Sequence, residues 1–323
     1  MRLVEKYRPE SLDEIVGQDE NIRSIKQVLS RKDLPHFLFL GPPGTGKTST
    51  AICMAKAKWG DQWQRHFREF NASDVRGIDD VRTRFKPISK HRGERVLFLD
   101  EFDQMTADAQ HALRRTMETT PSTIFVLSGN QGWKIIDAIK SRCAIYRFGR
   151  ISNEAIARRL MQVIRAEGLK VDIKNTEIRE GLTLLIKDSH GDMRWALNTL
   201  EKLIGENKDI TVESVLMLRR PQLAVDAMMR ALEGDFQSGK ELIEDSYITS
   251  GFSHEEIIEE LYGGLEKVED QQVRVRLYRE LGEVEGRCRY GSQPLIQLIS
   301  FVSYVWIAPR LMRCPALEGE SEN

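Results

Sequence analysis

Cysteine is scarce in this 323-residue chain: Cys53, Cys143, Cys288 and Cys314 stand far apart, and there is no CxxC pair. That spacing argues against a disulfide framework and a cysteine-ligated zinc site, and it fits a reducing compartment. The six histidines are equally scattered, which leaves a histidine-based metal centre without support. No apolar run is long enough to cross a bilayer. The nearest, Pro294 to Ala308, is interrupted by Gln297, Ser300 and Ser303, reads as a buried helix, and is expected to end at Pro309. The opening MRLVEKYRPE lacks the apolar core of a signal peptide. No internal repeat is visible, and there is no aromatic ladder for stacking single-stranded bases.

Charge is plentiful but unevenly placed. A net charge of −1 conceals a basic front and an acidic back: residues 201–323 carry 14 Lys+Arg against 23 Asp+Glu, leaving 34 against 26 for residues 1–200. The front therefore suits a polyanion, although chance segregation of solvated charge gives the same totals.

Up to residue 150, apolar runs alternate with helical patterns. HFLFLG, HFREFNAS, RVLFLDE, STIFVLSGN and AIYRF read as strands. Between them, KTSTAICMAKAKWG, IDDVRTRFKPISKH and DAQHALRRTMETT read as helices. Such alternation predicts a mostly parallel sheet with helices on both faces, an α/β fold. From Ile151 the strand patterns vanish. A helix capped by Ser152 or Asn153 opens a helical region that breaks at Ser189 to Asp192. Arg219, Arg220 and Pro221 mark a linker, a helical bundle occupies 223–314, and the acidic tail PALEGESEN reads as disordered.

The strongest motif is the loop Gly41, Pro42, Pro43, Gly44, Thr45, Gly46, Lys47, Thr48, Ser49, which satisfies G-x-x-x-x-G-K-[ST] between a strand and a helix. Glycines let backbone N–H groups turn inward around a phosphate, and the helix N-terminus adds positive potential. Lys47 is placed to reach the β- and γ-phosphates, and the Thr48 hydroxyl to ligate magnesium. RVLFLDEFDQM then delivers Asp100 and Glu101 at the carboxyl end of a buried strand, where ligands bind in open α/β sheets. Asp100 would hold the magnesium, mainly through water, and Glu101 would orient or deprotonate the attacking water. Alone, such a pair is more often a helix cap; behind a phosphate loop it reads as catalytic. Asp103 is ambiguous. Asn130, at the end of a third strand, could position water or γ-phosphate, or simply form a turn.

Together, VEKYRPESLDEIVGQ, GPPGTGKTS, FNASDVRGIDDVR, LFLDEFDQMTADAQHALRRTME, SRC and GDMRWALNTL resemble the small subunits of replication factor C, the archaeal and eukaryotic sliding-clamp loader of the AAA+ ATPase superfamily. The similarity is dense through residue 200 and rests on length and helical pattern after 220. It implies an AAA+ domain at 1–150, a helical lid at 151–220, a helical collar at 221–315 and a disordered tail at 316–323. It implies that Tyr7, Arg8, Val16 and Gln18 lie against the adenine, that Asn130 is the sensor 1 residue, and that Arg194 is the sensor 2 arginine on the γ-phosphate of its own subunit. It also casts Arg142 of SRC as an arginine finger acting on a neighbouring subunit's ATP, so no acid need pair with it in its own chain. Ser141 and Cys143 read as turn and packing residues.

The implied cofactors are ATP and Mg2+. The implied partners are the replication factor C large subunit and other small subunits in a heteropentamer, the sliding clamp PCNA, and primer–template DNA, with no membrane. Location would be cytoplasmic at an archaeal nucleoid, or nuclear in a eukaryote. DNA-facing helices would present Arg76, Arg82, Lys86, Arg114 and Arg115, any of which could equally be solvated helix charge. The clamp contact would lie on the first domain, facing away from the bundle. The family's usual DEAD reads DEFD here and its SCN reads SGN, with Phe102 and Trp195 bulky near the site. The chain is thus expected to be a DNA-dependent ATPase of clamp loading. Rivals are a ring helicase or branch-migration motor, and a structural subunit that binds ATP with weak hydrolysis.

Overall fold

The computed structural model describes residues 2–31, 33–72, 74, 77–85, 87, 93–169, 171, 174–205, 209–218 and 223–311. They fall into two compact units, Met1–Arg219 and Arg220–Asn323.

The first unit is built on five parallel strands: β1 (His36–Leu40), β2 (Phe67–Asn71), β3 (Arg95–Asp100), β4 (Thr123–Gly129) and β5 (Cys143–Arg147), in the order β2-β3-β4-β1-β5. Side chains alternate across the sheet with period two, so each central strand feeds two cores. Phe37, Phe39, Val96, Phe98, Ile124 and Val126 meet the helices Asp19–Leu29 and Lys47–Trp59 on one face. Leu38, Leu40, Leu97, Leu99, Phe125 and Leu127 meet the helix Ala107–Thr119 on the other. All five strands match their sequence patterns. Of the helix expected over IDDVRTRFKPISKH, the described part is a short turn Ile78–Asp80 followed by a wide π-type turn Val81–Phe85.

A third core holds the helices Asn153–Ala166, Thr176–Asp188, Met193–Gly205 and Val212–Leu218, through Ile156, Leu160, Leu185, Leu200 and Leu203. Ser152 is the N-cap of the first, its hydroxyl accepting from the Ala155 N–H at 3.3 Å. Leu3 from the N-terminal segment packs into the same core, and its N–H donates to Glu201 Oε1 at 3.2 Å.

The second unit is all helical among the described residues: Leu223–Leu232, Phe236–Glu244, His254–Gly264, Gln271–Arg289 and Pro294–Leu311. Glu260 accepts from the Ala224 and Val225 N–H groups at 3.0 and 3.2 Å, satisfying donors at a helix start that would otherwise be orphaned. In the last helix Leu298, Phe301, Val302, Val305 and Ala308 are fully buried. One expectation changes here. Pro309 does not end this helix but sits in its final turn. The same helix leaves Ile296 58% exposed within its unit. The Arg219–Pro221 linker and the acidic tail lie outside the described residues.

Candidate functional site: a cleft at the carboxyl ends of β1, β3 and β4

Because β4 lies between β3 and β1, their three exits stand side by side. The loop after β1 is pinned to β4 by the Gly41 N–H donating to Gly129 O at 3.2 Å. A Cβ on Gly41 would overlap the Phe148 carbonyl oxygen, and Gly46 takes φ +98° at the start of the helix Lys47–Trp59, so both positions need glycine.

Lys47 is buried at 8% exposure. Its Nζ donates to Gly41 O (2.6 Å), Pro42 O (2.8 Å) and Asn130 Oδ1 (3.0 Å). Burial pulls its pKa down to about 8, against the opposing pull of the Asp100 and Asp103 carboxylates. Thr48 Oγ1 donates to Asp100 Oδ2 at 2.9 Å, while Asp100 Oδ1 accepts from Ser128 Oγ and from the Glu101 N–H at 3.0 Å. Glu101 follows in the left-handed region at φ 53°, a strained state for a non-glycine residue, with its side chain exposed.

One cleft gathers Tyr7, Arg8, Val16, Pro43, Gly44, Thr45, Gly46, Lys47, Thr48, Ser49, Asp100, Glu101, Asn130 and Arg194. Gly41 and Pro42 stand behind it, their carbonyls occupied by Lys47. Gln18 also supports from behind: it is buried, and its Nε2 donates to Gly149 O at 2.8 Å and Thr45 O at 3.4 Å. Phe102 is fully buried in the core under the site, and Trp195 packs on the third core.

Sequence patterns pass over several cleft residues, among them Ile15, Ile151, Arg159, Met193 and Leu197. Met193 and Leu197 share a helix face with the cleft, a spacing of four that marks them only once Arg194 is placed there. Arg159 carries no local signal; its Nη2 donates to Tyr7 O at 2.7 Å, fastening the N-terminal segment to the helical layer. Tyr7 is held again by its hydroxyl, which donates to Glu167 Oε1 at 2.6 Å. The helical layer meets the phosphate loop through the Met193 N–H, which donates to Gly44 O at 3.2 Å.

Arg142 is not at this cleft. No acid need pair with it in its own chain, yet one does: its Nη2 forms an ion pair with Glu118, 24 residues away in sequence, and its Nη1 donates to Ala138 O at 3.1 Å. Of the DNA-facing candidates, Arg115 is exposed, and Arg114 is half-buried with Nε 3.9 Å from Glu118. Arg82 lies in the wide turn, its side chain outside the description, and Arg76 and Lys86 lie outside the described residues.

Among the described residues no cluster of three or more His, Cys, Asp and Glu side chains is poised for a metal. Thr48 and Asp100 offer a hydroxyl and a carboxylate side by side. This all-oxygen pair suits Mg2+, which takes few protein ligands and completes its shell with water and phosphate.

Comparison with known proteins agrees with this geometry. Residues 37–150 match the family model of ATPases associated with various cellular activities, and residues 220–304 match the replication factor C C-terminal domain. The replication factor C small subunit of Archaeoglobus fulgidus is 42% identical over 94% of this chain and 96% of its own. The one from Halobacterium salinarum is 38% identical over 94% and 95%. Among solved structures, the RuvB Holliday junction branch migration motor of Thermotoga maritima superposes with a TM-score of 0.54 at 18% identity, over 79% of this chain and 85% of that one, a likeness of fold.

Proposed function

The chain belongs to the replication factor C small-subunit family and is an ATP-hydrolysing subunit of the clamp loader of DNA replication; on that premise we propose how its residues divide the work. Two contacts carry the reading, Lys47 to Asn130 and Thr48 to Asp100, because they join the exits of three adjacent strands in one cleft.

ATP lies with its adenine toward Tyr7, Arg8 and Val16 and its phosphates in the loop 41–49. Lys47 exchanges its carbonyl acceptors for phosphate oxygens. Neighbouring negative charge then restores the proton that burial loosens. Thr48 and Asp100 would hold Mg2+, which would supply neutralisation of phosphate charge there. Glu101 orients or deprotonates the attacking water, Asn130 fixes the γ-phosphate, and Arg194 contacts it from the helical layer of the same chain. Arg142 exchanges Glu118 for the γ-phosphate of a neighbouring subunit, completing a site that one chain leaves open.

Partners follow from the family: a large subunit and other small subunits in a heteropentamer, the sliding clamp PCNA, and primer–template DNA. Phosphate contacts by Arg114 and Arg115, with Arg76, Arg82 and Lys86, would follow the backbone without reading sequence. The units 1–150, 151–220 and 221–315 act as ATPase domain, lid and collar.

Glu101→Gln tests this directly. ATP affinity stays within about twofold, and clamp- and DNA-stimulated phosphate release falls about a hundredfold or more. Unchanged release would favour a structural, nucleotide-holding subunit.

A further inference from the structure

Beyond the pull of its charge on Lys47, Asp103 has been given no role in binding or hydrolysis, yet it is 4% exposed beside the reacting groups. It lies in the 3-10 turn Phe102–Gln104 that follows β3. A carboxylate there would ordinarily be read as the cap of the next helix. That cap is Thr106, whose hydroxyl accepts from the Ala109 N–H at 3.3 Å. Asp103 instead spends both oxygens on the neighbouring strand: Oδ1 accepts from the Asn130 N–H at 3.3 Å and Oδ2 from the Gln131 N–H at 3.1 Å.

The surroundings preserve this fork. Phe102, fully buried, anchors the turn from below. The turn closes through the Gln104 N–H donating to Glu101 O at 2.8 Å and the Met105 N–H to Phe102 O at 3.1 Å. Gly129 leaves just enough room, for a Cβ there would stand 3.0 Å from Asp103 Oδ1. A buried carboxylate is costly unless its hydrogen bonds are made, so the fork resists displacement. It grips the backbone of the residue whose amide oxygen meets Lys47 at 3.0 Å, from a turn that begins one residue after Glu101.

The geometry points to Asp103 as a positioning residue for hydrolysis: it fixes the backbone of Asn130 so that the amide is aimed at the terminal phosphate. The inference rests on the reading of Asn130 as a γ-phosphate contact. Asp103 touches no reacting atom. Its effect passes through Asn130, so it governs discrimination of triphosphate from diphosphate more than nucleotide binding as such.

The test measures the affinity of the full-length chain for ADP and for the β,γ-imido analogue of ATP, in wild type, Asn130→Ala, Asp103→Asn and the double variant. Asn130→Ala is expected to lower the preference for the analogue by about tenfold, the scale of one hydrogen bond to a charged group. Asp103→Asn, nearly isosteric, puts an N–H donor against one of the two backbone donors; it should lower the preference similarly and leave ADP affinity within about twofold. The double variant should be no worse than either single one, because both act through one contact. Backbone amide exchange at Asn130 and Gln131 should quicken in Asp103→Asn.

If Asn130→Ala loses the preference and Asp103→Asn keeps it, the inference is overturned while the reading of Asn130 stands. If neither loses it, the reading of Asn130 fails and the inference falls with it. An equal loss of affinity for both nucleotides in Asp103→Asn marks a general structural role and also overturns it. Should Asp103→Asn not fold, Gly129→Ala crowds the same carboxylate, with a Cβ 3.0 Å from Oδ1 that loosens its two hydrogen bonds, and is held to the same outcomes.

Discussion

Arg142 is tied to Glu118 of its own chain, across 24 residues of sequence, by an ion pair between the SRC turn and the helix Ala107–Thr119. The two side chains are 35% and 39% exposed, a setting in which an ion pair is worth about 0–1 kcal/mol. A neighbour's triphosphate, with several negative oxygens, can outbid one half-solvated carboxylate. Glu118→Gln should therefore raise stimulated turnover of the assembled complex by up to about fivefold, the rate equivalent of that pair, without moving the ATP affinity of the isolated chain. A tenfold fall on this substitution would make Glu118 part of the machinery instead of a competitor to it.

Lys47 sets a pH dependence. With its pKa near 8 in the free chain, the ammonium that meets phosphate is lost above that pH. ATP affinity should weaken above pH 8 by up to about tenfold per pH unit, with proton uptake on binding. Lys47→Arg should flatten the slope, since a guanidinium does not titrate in this range. The sign for stability is opposite: the folded pKa lies below the unfolded 10.5, so between about 8 and 10.5 the unfolded chain binds more protons and stability rises with pH. Nucleotide titrations from pH 6.5 to 9.5 check the first effect.

Glu101 occupies a left-handed backbone, φ 53° and ψ 37°, where glycine is at ease. Glu101→Gly should stabilise the chain by about 0.5–1 kcal/mol, offset in part by glycine's unfolded-state entropy, while abolishing turnover. Thermal melts beside phosphate-release assays would read both. A lower melting temperature would show that the left-handed conformation carries no strain.

Arg159 holds the N-terminal segment by its bond to the Tyr7 carbonyl at 2.7 Å. Arg159→Ala should weaken ADP and ATP binding alike by about tenfold, since it loosens the adenine side and not the phosphate end. Limited proteolysis near residues 2–9 should quicken in step. A loss confined to ATP would contradict this placement.

Much of the ATPase layer is legible because burial imprints periodicity. Phe37 and Phe39 alternate with Leu38 and Leu40, and the loop glycines stand at fixed offsets from Lys47. Asp100 and Asn130 are readable as the first polar groups after apolar strands. What sequence hides are pairings made by tertiary proximity. Glu118 looks like any solvent-facing helix acid until the SRC turn is brought to it. Asp103 is visible as an acid, but its role depends on β4 lying beside β3, which spacing alone does not specify. Pro309 misleads because a proline in the last turn of a helix forfeits only one N–H, while the apolar stripe through Val305 and Ala308 carries the helix on. Gln18 falls in a segment implied to lie against adenine, yet its amide is committed to two backbone carbonyls.

The most direct measurement pairs two numbers for Arg142→Ala: the stimulated turnover of the assembled clamp loader and the ATP affinity of the isolated chain. A site shared between two chains predicts turnover lower by about a thousandfold with affinity in the isolated chain within about twofold. Full turnover without the guanidinium, or ATP binding lost in the isolated chain, would contradict it.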